Sequence, residues 1–140
     1  MITRILLAVD DSPAAMASAR HAIELAACLG ARLHVVTVVP DHSLSNLVTR
    51  MGSHPGVHER RDQAAEAILD HVVRLARASE VEADAHLLEG DAARRILAEA
   101  RSMHADLIVV GRSEGLDRST TAHILEFAGQ PVLVVPPEVR

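Results

Sequence analysis

The chain has 140 residues, room for one domain with one sizeable core and too little for a second, so residues 1–140 read as a single domain. It is 49% hydrophobic with a formal net charge of −5, contains no Lys, Trp or Tyr, and has one Phe, Phe127. That composition excludes a basic footprint for nucleic acid, an aromatic platform for stacking bases, a Walker A lysine and Schiff-base chemistry.

The apolar runs at residues 5–9 and 132–135 are far too short to cross a bilayer. No basic segment followed by an apolar stretch opens the sequence, so the expected location is cytoplasmic, with no membrane partner. Cys28 is the single cysteine and has no internal disulfide partner. It falls in an apolar helical pattern, and a buried, inert thiol is the expectation.

Along the chain, apolar runs alternate with helical periods. Residues 5–9 are a continuous run closed by Asp10-Asp11-Ser12-Pro13, a buried strand entering a helix start. Ser12 suits an N-cap, and Pro13 follows where its missing N–H is harmless. The helix is expected to reach Leu29, with Gly30 as its stop. Residues 33–39 form a second strand rich in β-branched side chains, ended by Pro40. Residues 41–56 have no apolar period and read as a mobile loop. From about Val57 a long helix carries Ile68, Val72, Leu75 and Ser79 at helical spacing. Ala83, Ala85 and Leu87 alternate with Asp84, His86 and Leu88, the pattern of a strand near a sheet edge. Asp91 then caps a helix whose inner face is Ala93, Ile96, Leu97, Ala100 and Met103. Residues 107–110 are a fourth strand, closed by Gly111. Residues 119–128 make a short helix with Ile124 and Leu125 inward, and Val132–Val135 is the last strand.

This alternation predicts an α/β fold, a five-stranded parallel sheet with helices on both faces, Rossmann-like or flavodoxin-like. Ligands of such sheets bind beyond the carboxyl ends of the strands where strand order reverses, which directs attention to Asp10 and Gly111.

Asp10-Asp11 could be an acidic metal pair, as in a receiver domain. That chemistry also needs an Asp ending the third strand and a Lys ending the fifth; here Leu88-Glu89-Gly90 and a lysine-free chain reject it. Asp11 and Ser12 as helix caps are the plainer reading. Among the nine histidines, His54 and His58 are four apart beside Glu59, but no third ligand is placed with them. Surface histidines are expected there, and no metal. Ser119 and His123 lie one helical turn apart, yet no Gly-x-Ser-x-Gly elbow surrounds the serine, so an N-cap serine near a partly exposed histidine is the expectation.

Between Gly111 and Thr120 a glycine leaves a buried strand, a polar loop follows, and Ser119-Thr120 opens a helix. Free N–H groups and two hydroxyls at that helix start suit a phosphate, and Arg112 and Arg118 could add charge-assisted hydrogen bonds.

Residues 5–12, residues 33–39, Gly90-Asp91, residues 105–111, residues 119–125 and residues 131–135 resemble, in order, successive blocks of the universal stress protein family. The resemblance covers nearly the whole chain. It implies a strand order of 3-2-1-4-5, a homodimer formed through the last strand, and an adenine-nucleotide site. In that site Asp10 meets the adenosine, Val38 lines the base pocket, and Gly111 and Ser119 begin and end a phosphate loop. The chain departs from the loop pattern Gly-x2-Gly-x9-Gly-[Ser/Thr]. Position 114 is Glu, Arg118 stands where the last glycine belongs, and the loop is about six residues short. A triphosphate should fit it less well, because glycines allow close approach of backbone to phosphate.

The expected function is therefore a stress-response binding and regulatory module with weak affinity for ATP or AMP, no required cofactor and no catalysis. A dimeric scaffold recruiting a protein partner without nucleotide is one alternative, and slow ATP hydrolysis is another.

Overall fold

The apolar runs become the central strands, and each amphipathic segment between them becomes a crossover helix. The computed structural model describes residues 1–40, 56–112 and 118–138, and for 56–61 and 118 the backbone alone. In chain order the elements are β1 (Arg4–Ala8), α1 (Pro13–Leu29), β2 (Arg32–Val39), α2 (Gly56–Ala78), β3 (Ala83–Glu89), α3 (Ala92–Ser102), β4 (Leu107–Gly111), α4 (Arg118–Phe127) and β5 (Val132–Val135). All five strands are parallel, in the order β3-β2-β1-β4-β5. The expected loop at 41–56 falls outside the described residues except for Gly56, which begins α2.

Strand periodicity divides the core into two layers. Ile5 and Leu7 of β1, Leu33 and Val35 of β2, and Leu107 and Val109 of β4 face α1 and α2. Leu6, Val36, Ile108 and Val110 face α3 and α4. Because the central strands are covered on both sides, they read as unbroken apolar runs instead of alternating ones. At the β3 edge only one face is well covered. Ala83, Ala85 and Leu87 pack against the first layer, while Asp84 and His86 on the other face remain exposed.

Helix ends follow their local chemistry. Gly30 closes α1 at φ 65°, in the left-handed region, and its N–H donates to Ala26 O. Asp91 caps α3 by accepting from Arg94 N at 3.1 Å. Ser12 does occupy the N-cap position of α1, but its side chain makes no cap hydrogen bond. The Asp10 carboxylate instead accepts from Ser12 N at 2.8 Å, so the turn into α1 is held by Asp10 and not by Asp11 or the serine hydroxyl.

Four other expectations are corrected by helix phase or by where a helix begins or ends. Cys28 is exposed, because Ala22, Ile23 and Ala26 carry the inner face of α1 and residue 28 turns away from it. In α2 the buried line is Ala65, Leu69, Val72 and Ala76, with Ile68 and Leu75 flanking it; Ser79 lies past the helix end and is exposed. In α4 Ile124 is 1% exposed but Leu125 is 54% exposed, since the inward stripe runs through Thr121 and Ile124. Helix α4 also begins at Arg118, so Ser119 stands inside the first turn and is not its N-cap.

Gly111 has a steric duty. A Cβ built there would lie 2.9 Å from Ala14 Cβ and 3.3 Å from the Ala14 carbonyl, so the end of β4 and the start of α1 touch only because residue 111 lacks a side chain. Gly111→Ala is expected to cost about 1–3 kcal/mol of stability, the range for overpacking a close contact. Urea denaturation checks this, and an unchanged midpoint would show that the two elements can part without cost.

Candidate functional site

The chain crosses from β1 to β2 over one face of the sheet by α1, and from β4 to β5 over the other by α4. The segments leaving the adjacent strands β1 and β4 therefore diverge, and a crevice opens beyond their carboxyl ends. A cavity of about 400 Å³ occupies that position. Its floor is apolar, made by Val38 at the end of β2, Ala92 and Ile96 of α3, and Ile124 of α4. Its rim is polar, carrying Asp10, Asp11 and Ser12 on one side and Gly111, Thr120 and Thr121 on the other.

Of the residues singled out from the sequence, the fold brings Asp10, Val38, Gly111 and Thr120 together around this cavity. They come from four elements or their ends, separated by up to 110 residues of sequence (120 − 10). Ser119 is exposed in the first turn of α4 and is not among the cavity residues. Arg112 is exposed immediately after β4, and its backbone N–H donates to Val135 O at 2.7 Å. Arg118 begins α4, and its side chain lies outside the described residues, as does loop segment 113–117.

Asp10 is exposed at the mouth, oriented by the Ser12 N–H that it accepts. Its carboxylate can also accept from ligand hydroxyls. Val38, Ile96 and Ile124 offer a dry surface for a flat apolar ring, and Thr120 adds a hydroxyl to the lining. Among the described residues, the ionisable ones lining the cavity are Asp10 and Asp11.

Ala92, Ile96, Thr121 and Ile124 were missed as site residues. Ile96 and Ile124 read from the sequence only as the inner faces of their helices, and nothing in their periodicity distinguishes a core contact from a cavity floor. Thr121 is 9% exposed, a buried polar residue beside an opening. The Ser119-Thr120-Thr121 run was the available signal for it.

The model of the universal stress protein family matches residues 1–136. The chain belongs to that family. Among curated relatives, this universal stress protein is 30% identical over 138 residues to the universal stress protein MJ0531 of Methanocaldococcus jannaschii, a match covering 94% of this chain and 81% of the relative. Among solved structures, a universal stress protein family member from Burkholderia pseudomallei superposes with a TM-score of 0.77 at 30% identity, over 98% of this chain and 97% of that one. The universal stress protein of Archaeoglobus fulgidus, solved in complex with dAMP, gives a TM-score of 0.74 at 25% identity, over 96% and 99% of the two chains. The strand order that the resemblance implied is the one observed.

His54 and His58, the pair weighed above as metal ligands, lie outside the residues whose side chains are described. Among the described residues, no helix is long and apolar enough to cross a membrane.

Proposed function

We propose that this universal stress protein is a single-domain cytoplasmic regulatory module that binds an adenine nucleotide in the crevice between the carboxyl ends of β1 and β4. The observation that carries the reading is the cavity itself. It stands at the strand-order reversal, its volume of about 400 Å³ lies within the usual range for small-molecule sites, and it pairs an apolar floor with the Asp10 carboxylate. The dAMP complex of the Archaeoglobus fulgidus relative supports the ligand class.

The base rests on Val38, Ile96 and Ile124, and Asp10 accepts from the ribose. The phosphates point toward Gly111 and the start of α4, where helix N–H groups and the Thr120 hydroxyl can receive them. Since Gly111 is already committed to its contact with Ala14, and the loop beyond it lacks the family's further glycines, the phosphates contribute little. The output is a change of conformation or partner and not a turned-over substrate.

Titration calorimetry with ATP, ADP and AMP tests this. Affinities within about tenfold of one another, a spread of roughly 1.4 kcal/mol, are the expected result. A strong preference for ATP that disappears in Arg118→Ala would instead assign Arg118 as a phosphate clamp, and absence of binding to all three would remove the nucleotide reading.

The sheet edge favours a second component of the reading, a homodimer formed through β5. Val132–Val135 is an apolar edge strand whose outer hydrogen-bonding side has no strand beside it among the described residues. Antiparallel pairing of two such edges across a two-fold axis would cover both. Light scattering at micromolar concentration is expected to give twice the chain mass of 15.0 kDa, and a monomer would remove this component.

A further inference from the structure

Among the described residues, a further polar cluster lies on the α3 face of the sheet, where β3 forms the edge. His34 of β2 is in direct register with Asp84 of β3, and Val36 with His86, so the parallel pairing sets two imidazoles and a carboxylate side by side. His34 Nδ1 is 2.7 Å from Asp84 Oδ1, and His86 Nε2 is 3.5 Å from Asp84 Oδ2. The two imidazole centroids are 4.7 Å apart. One ligand atom from each of the three side chains can be chosen so that all lie within 4.8 Å of one another. Behind them Glu99 of α3 places Oε1 3.1 Å from His34 Nε2. The His34 side chain is 12% exposed, while Asp84 and His86 are about half exposed at 55% and 52%.

We propose that His34 Nδ1, the Asp84 carboxylate and His86 Nε2 form a site for a divalent transition-metal ion of the zinc class. Zinc holds nitrogen and oxygen ligands at about 2.0–2.2 Å in a tetrahedron, which separates ligand atoms by roughly 3.3–3.5 Å. The 3.5 Å from His86 Nε2 to Asp84 Oδ2 is close to that spacing, while His34 Nδ1 contacts the other oxygen, Oδ1, at 2.7 Å. Side-chain rotations within a cluster whose ligand atoms span no more than 4.8 Å bring the three to tetrahedral spacing. Two imidazoles with one carboxylate select zinc-like ions over magnesium or calcium, which favour all-oxygen shells. Three protein ligands leave the fourth position to water, and the exposure of Asp84 and His86 gives the ion and that water a way in.

Glu99 supplies the feature that a chance cluster lacks. In the tautomer that donates Nε2–H to Glu99, His34 presents the lone pair of Nδ1 toward Asp84 and His86. This carboxylate–histidine–metal arrangement orients the ring and raises its basicity. The bound ion would clasp the edge strand β3 to β2 on the α3 face, at the margin where Asp84 and His86 are half exposed. None of the three ligands belongs to the nucleotide crevice, so the two sites can be tested separately.

The test uses the full chain, stripped with chelator and titrated with Zn2+, with Co2+ as a spectroscopic probe. One ion per chain is expected, with visible Co2+ absorption of tetrahedral intensity. His86→Gln and Asp84→Asn, at half-exposed positions that leave the core intact by circular dichroism, should each weaken Zn2+ affinity by about a hundredfold. Glu99→Gln should weaken it by roughly tenfold. His21→Gln, on the exposed side of α1, should have no effect. Zn2+ binding that is unchanged in His86→Gln and Asp84→Asn would assign the ion to other histidines and overturn the proposal. Absence of stoichiometric binding at about 100 μM Zn2+ would overturn it as well.

Discussion

Asp10→Ala is expected to weaken AMP binding by roughly ten- to a hundredfold while leaving the fold standing. A hydrogen bond to a charged acceptor contributes about 1.5–3 kcal/mol, and in the proposed nucleotide site the Asp10 carboxylate at the mouth of the crevice accepts from the ribose. The residue has a second role, since it accepts Ser12 N at 2.8 Å and shapes the turn into α1. Asp10→Asn separates the two roles. Its side-chain oxygen still receives the Ser12 N–H, so the turn survives, but the charge that strengthens the ligand bond is gone. Calorimetry on both variants should show weak binding, with the asparagine variant melting close to the parent. Equal AMP affinity in the parent and both variants would take Asp10 out of the site.

Ile108→Ala is expected to produce the largest loss of stability, about 2–5 kcal/mol, against a total of roughly 5–15 kcal/mol for a domain of this size. Ile108 is 0% exposed in β4, in register with Leu6 of β1 on one side and Val132 of β5 on the other. Its side chain belongs to the layer built with Ile96, Leu97 and Ile124, so truncation leaves a cavity between sheet and helices that neighbouring strands cannot close. Leu125→Ala removes a similar side chain from α4 but from its exposed face, and should change stability by no more than about 0.5 kcal/mol. Urea unfolding of the pair provides the check. Equal losses would mean that the outward face of α4 is covered in solution, by a second copy or by another segment of the chain.

Much of this architecture was legible in the residues. Continuous apolar runs specified strands buried on both faces, because only a doubly covered parallel sheet tolerates Ile5-Leu6-Leu7 and Leu107-Ile108-Val109 without alternation. The alternating polar residues of β3 specified an edge, and the observed order places β3 there. Asp91 and Gly30 marked helix ends because capping is a local matter, decided within one turn of chain. Asp10 and Gly111 could be singled out from the fold class, since ligand crevices in such sheets follow from the reversal of strand order.

Phase and distance were decided by the tertiary structure. A hydrophobic period tells that a helix has an inner face but leaves its rotation uncertain by one residue, enough to misplace Cys28 and Leu125, and it does not fix the last turn, so Ser79 falls past the end of α2. Gly111 looked like a phosphate-loop glycine, and its contact with Ala14 became visible only when α1 was laid against β4. The floor of the crevice draws Val38, Ile96 and Ile124 from three elements, and each of them alone reads as ordinary core. His34 and His86 stand 52 residues apart (86 − 34) and carry no recognisable ligand spacing along the chain. Their adjacency is set by the register of β2 against β3, a property of hydrogen bonding between strands that local sequence cannot express.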